Sequence, residues 1–84
     1  MLMSIDEFML LPKADRVHLV LTQGKELMHR IYIYYTIKLY QYSDFFVEIW
    51  YLQISNTIDK IRIVDIEDVV HLYEKEIDIK DLFK

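Results

Sequence analysis

The chain has 84 residues, no cysteine and a formal net charge of −4, so disulfides and thiolate metal sites are excluded. That length supports one modest core and therefore one domain, residues 1–84. No apolar run reaches the roughly 18 residues of a membrane span, because Lys38, Asp44 and Glu48 interrupt the richest stretch.

Ser4-Ile5-Asp6-Glu7 reads as a capping box that opens a short helix containing Ile5, Phe8 and Met9. The single proline, Pro12, ends that helix at about Leu11 and fits the first position of a second one. Ala14, Val17, Val20 and Leu21 share one face of the second helix, and Gly24 is the natural left-handed cap at its end.

Residues 31 to 64 alternate with a period of two. Ile31, Ile33, Tyr35, Ile37, Leu39, Val47, Ile49, Tyr51, Ile61 and Ile63 form an apolar odd-numbered set. The even-numbered set is mixed: Tyr32, Tyr34, Thr36, Lys38, Tyr40, Phe46, Glu48, Trp50, Leu52, Lys60, Arg62 and Val64. No glycine, proline or asparagine falls between Leu27 and Tyr42, so one bent strand and a hairpin turning near Arg30 to Ile33 both fit.

Ser43-Asp44 is a turn signal. An odd-length loop, Tyr42-Ser43-Asp44, sets Lys38 against Glu48 and Ile37 against Ile49. A two-residue loop sets Lys38 against Ile49 and Leu39 against Glu48, which mixes the two sets. The charge match selects the odd loop. A second turn at Ser55-Asn56-Thr57 then places Trp50 opposite Arg62, a cation–π pair, and Leu52 opposite Lys60.

Asp65 caps a last helix, with Glu67 and Asp68 at the end where the helix dipole favours acid. Its apolar stripe is Ile66, Val69, Val70, Tyr73 and Ile77, and the tail from Ile77 to Phe83 can strap back onto the core. The expected fold is α+β: an N-terminal helix pair, an antiparallel three- to four-stranded meander and a C-terminal helix, with the helices gathered on the odd face.

Leu39-Tyr40-Gln41, then Asp44 to Tyr51 (DFFVEIWY), then Ile61-Arg62 resemble a strand signature of small uncharacterised bacterial proteins. Those proteins also share a helical start ending at a glycine, as at Gly24. The resemblance implies the α+β fold and carries no activity with it.

Chemistry is sparse along the chain. His71 follows Asp68 by three and Glu67 by four, but bundle metal sites need such a motif twice, with further glutamates. His18 and His29 have no nucleophile or ligand beside them in sequence, and Ser4, Ser43 and Ser55 are a cap and two turns. One glycine cannot cradle a phosphate. Nothing here supports an enzyme, a metal or a cofactor; His29 and His71 are the residues an enzyme would use.

Residues 1–64 carry seven basic and seven acidic side chains, so the whole imbalance lies in residues 65–84. Nucleic-acid binding, the alternative that Tyr32, Tyr34, Tyr40 and Trp50 among Lys38, Lys60 and Arg62 suggest, lacks the clustered positive charge it needs. A protein interface enriched in Tyr, Trp and Arg fits better. The sequence therefore points to a non-enzymatic interaction module or homodimer of the immunity, inhibitor, antitoxin or adaptor type. Its contact residues would be Tyr32, Tyr34, Tyr40, Phe46, Trp50, Leu52 and Arg62; the other reading of this even face is that the N-terminal helices or the tail cover it and make it core. A cytoplasmic address follows from the missing cysteine and from Asp6 and Glu7 standing where a basic leader is expected.

Overall fold

In the structure, a computed structural model that describes residues 2–74, the chain begins with the capping box that Ser4 and Glu7 encode. Glu7 N donates to Ser4 Oγ and Ser4 N donates to Glu7 Oε1, both at 3.1 Å, opening α1 (Ile5–Met9). Pro12 stands just before α2 (Lys13–Gln23), in the capping position rather than the first helical one.

Val20 is the fully buried residue of α2, with Val17 and Leu19 packed beside it, while Ala14 and Leu21 are exposed. The seam is thus rotated from the one expected, and Gly24 is not the left-handed cap expected at its end. Its φ is −82°, extended rather than left-handed. A Cβ there would lie 2.5 Å from the Val20 carbonyl oxygen and 3.3 Å from that of Gln41. Glycine is required for this close approach to the last turn of α2 and to the Gln41 carbonyl.

Four antiparallel strands follow in sequential order: β1 (Lys25–Tyr32), β2 (Tyr35–Tyr42), β3 (Phe45–Leu52) and β4 (Thr57–Val64). Residues 27–42 are therefore a hairpin, with Ile33-Tyr34 as its two-residue loop. The next loop, Ser43-Asp44, also has two residues. Lys38 consequently pairs with Ile49 and Leu39 with Glu48, so the odd-length loop and its Lys38–Glu48 pair are corrected. In both loops only the first central residue has positive φ, 54° at Ile33 and 57° at Ser43, as in the type II′ turns that match strand twist.

Each such loop reverses the parity of the numbering, so one sheet face takes even residues of β1, odd of β2 and even of β3. The pairing that looked mixed is tolerated because charges from neighbouring strands compensate it. Lys38 reaches Glu26 on β1 at 3.6 Å, and Glu48 meets Arg30 on β1 and Arg62 on β4.

Between β3 and β4 the register is displaced by two residues from expectation, which preserves the faces. Glu48 lies opposite Arg62, Ile49 opposite Ile61 and Trp50 opposite Lys60, with a bulge beyond Trp50. The expected Trp50–Arg62 pair is thereby replaced, and Lys60 Nζ sits 3.8 Å from the Trp50 ring centroid.

Helices cover both faces, not the odd face alone. On one, Phe8 and Val20 pack onto Tyr40, Tyr42, Phe45, Val47, Ile49 and Ile61. On the other, α3 (Ile66–Glu74) lays Val69 and Tyr73 over Ile37, Leu39, Trp50 and Val64. Ile66 and Leu72 pack against this second cluster and Val70 is half-buried, in keeping with the expected stripe. Ile77 and the expected strap to Phe83 lie outside the described residues. Among the described residues no helix is long and apolar enough to cross a membrane.

Candidate functional site

Strand β3 carries a carboxylate, Glu48, to the middle of the α3-covered face, where its side chain is 1% exposed. A charge so placed needs partners, and four groups converge on it. Tyr73 Oη donates at 2.8 Å and Trp50 Nε1 at 3.2 Å, while Arg30 Nη2 lies at 3.6 Å and Arg62 Nε at 3.8 Å. The Arg30 guanidinium is itself buried among three rings, 5.2 Å from Tyr73, 5.6 Å from Trp50 and 6.0 Å from Tyr32.

Burial, reinforced by the bond to Glu48, raises the Tyr73 phenol well above its ordinary value. The Tyr73 hydroxyl thus stays protonated as a donor, and both Glu48 oxygens are engaged. A carboxylate committed to structure in this way is not placed to move protons for a substrate. The cleft beside it, about 280 Å³, is lined by these same groups with Val69 and Leu72.

The other end of the sheet is different in character. The β1–β2 and β3–β4 loops lie side by side, because Gln53 N donates to the Tyr34 carbonyl oxygen at 2.9 Å. Gln53 Nε2 also reaches the Tyr35 carbonyl at 3.5 Å and Thr36 Oγ1 at 3.4 Å. This lashing holds out apolar side chains: Ile54 is 96% exposed, Tyr34 73%, Ile33 65% and Ile31 56%. A recess of about 400 Å³ opens between Tyr34, Leu52, Gln53 and Ile54.

The seven expected contact residues separate accordingly. Tyr32 and Tyr34 are exposed at the apolar end, with Leu52 half-buried beside them. Phe46 and Trp50 belong to the core beneath α3, and Arg62 flanks Glu48. Tyr40 lies on the opposite face, in the α2 cluster. The aromatic even-numbered face is therefore not one open surface, and a Trp50 ring capped by Lys60 offers no platform for a base.

His18, His29 and His71 are all exposed, and among the described residues no three His, Asp or Glu side chains come together as a metal site would require. Sequence reasoning missed Ile33 and Ile54. The signal at Ile33 was its place alone: an aliphatic residue between Tyr32 and the Tyr34-Tyr35 pair, at the end of the Arg30 to Ile33 stretch where a turn was allowed. No known protein family, curated protein or solved structure matches the chain.

Proposed function

We propose that this chain is a non-enzymatic protein-binding module whose contact surface is the apolar end of the sheet, centred on Ile33, Tyr34 and Ile54. The observation that carries this reading is Ile33. A β-branched residue at φ 54° is strained, costing about 1–2 kcal/mol, and the usual residue there is glycine. Its side chain is 65% exposed and belongs to neither core cluster. Strain kept at an exposed apolar position favours a use outside the fold, and binding a partner is the simplest such use. Adaptor, inhibitor, immunity and antitoxin roles are each carried out by contact with another protein.

The test is photo-crosslinking from position 34 in cells, with exposed Gln23 on α2 as the control position. Protein adducts from position 34 that disappear on Ile54→Ser support the reading. Equal adducts from both positions, or none from position 34, refute it.

A further inference from the structure

The Glu48 cluster is short of negative charge. Two guanidiniums, Arg30 and Arg62, meet one carboxylate, and Lys60 stands over the adjoining Trp50 ring at 3.8 Å. Among the described residues Glu48 is the only carboxylate in ion-pair range of either arginine. The cluster is short of acceptors as well. Glu48 accepts its hydrogen bonds from two neutral donors, Tyr73 Oη at 2.8 Å and Trp50 Nε1 at 3.2 Å. The guanidiniums are left at 3.6 and 3.8 Å, which is charge contact and not hydrogen bonding. The Arg30 side chain is only 10% exposed, and its buried Nε–H has no acceptor among the described residues. A donor left in that condition is costly.

The cleft of about 280 Å³ opens on this cluster. It lies below the roughly 300–1,000 Å³ of pockets for drug-sized ligands, so it admits a group the size of one side chain. Tyr32 and Trp50 line it with their rings edge to face, 6.1 Å apart. Tyr32 is also half-exposed and stands one residue before Ile33, so the cleft continues from the apolar end.

We infer that this cleft seats an acidic side chain, Asp or Glu, of the protein that docks on the apolar end. The inference rests on the protein-binding reading and supplies the partner's chemistry. One carboxylate balances the surplus cation and offers the guanidiniums the acceptor that Glu48 withholds. A planar carboxylate also matches the guanidinium fork. Arg62, 52% exposed, can turn onto it, while Arg30, held among three rings, supplies fixed charge. In a chain of net charge −4, a seat with surplus cations selects which surface an acidic partner approaches.

Trp50 is the only tryptophan, lines the cleft and donates to Glu48, so its indole N–H resonance reports occupancy. N-acetyl-glutamate methylamide is titrated into the full chain and compared with its glutamine counterpart. The glutamate probe should give a saturable shift. The glutamine probe should bind at least about tenfold more weakly, and so should the glutamate probe on Arg62→Gln, each having lost a charged hydrogen bond. The comparison of probes on the unaltered chain decides the matter if Arg62→Gln fails to fold. No saturable shift, or equal affinity for both probes, overturns the inference and leaves the arginines to water or to an acid of the chain itself. Crosslinking from position 34 identifies the source of the carboxylate. Adducts that both Ile54→Ser and Arg62→Gln diminish place it on the partner. Adducts indifferent to Arg62→Gln leave the apolar end as the contact surface and overturn the acidic partner. If position 34 yields none while the glutamate probe still binds, the protein-binding reading fails, and a free acid replaces the partner's side chain as the occupant.

Discussion

Tyr73 Oη donates to Glu48 Oε2 at 2.8 Å, fastening the last described turn of α3 to the centre of β3. The bond explains why the aromatic face around Trp50 is core. A buried carboxylate in mid-strand needs donors from above as well as from within the sheet, and the helix that brings Tyr73 also covers Trp50, Ile37 and Leu39.

Removing one side of this network is expected to cost more than any surface change. Glu48→Ala leaves Arg30 buried without its counter-charge and should lower stability by about 3–5 kcal/mol. Tyr73→Phe removes one bond to a charged acceptor and should cost about 1.5–3 kcal/mol. Arg62→Ala, whose side chain is 52% exposed, should cost less than about 1 kcal/mol. Urea midpoints of the three variants check the order.

Alkaline pH should destabilise the fold. Burial raises the Tyr73 phenol, with the Glu48 bond second, and burial raises Tyr40, with the Tyr51 hydroxyl second; the bond to Asp59 raises Tyr35. A phenol raised in the folded state keeps its proton where the unfolded chain has lost it. Its stabilising contribution is therefore complete below the ordinary value of 10.0 and is lost as pH rises from there through the folded value. Urea unfolding between about pH 8 and about pH 11 should show a plateau and then a decline. A stability that holds through the upper end of that range would contradict the assignment.

Ile33→Gly should make the protein more stable and less able to associate. Relief of about 1–2 kcal/mol of left-handed strain outweighs the roughly 0.5–1 kcal/mol of added chain entropy that glycine brings. A thermal melt and a sedimentation run on the same variant give both readings. Loss of stability would show that the Ile33 side chain serves the fold.

Gly24→Ala should destabilise by about 1–3 kcal/mol although alanine is the better helix former, because the added methyl meets backbone oxygen from two segments. A neutral thermal melt would mean that the α2–β2 contact can open without cost.

Much of the fold was legible because its signals are local. The Ser4–Glu7 box, Pro12 between two helices and the Ile66–Tyr73 stripe each require only a few residues to be read correctly. Register was not legible, because it depends on loop length. Ile33, Ser43 and Asn56 take positive φ without being glycine, so nothing in their identity announced how short the loops at Ile33 and Ser43 are. Pairing Lys38 with Glu48 was reasonable for two strands in isolation. It failed because Arg30 on β1, reaching past β2, and Arg62 on the adjacent β4 satisfy Glu48 instead. The same parity reversal divided the seven expected contact residues between two faces and left Tyr32 and Tyr34 as the exposed pair.

The most direct measurement is a concentration series of amide NMR spectra on the unaltered chain. Resonances of Ile31 to Tyr34 and of Gln53 and Ile54 should move progressively with concentration, while those of Asp6 and Glu7 on the exposed side of α1 stay fixed. Invariant resonances at the sheet end would contradict self-association through that end, and changes centred instead on α2 would contradict its assignment as the contact surface.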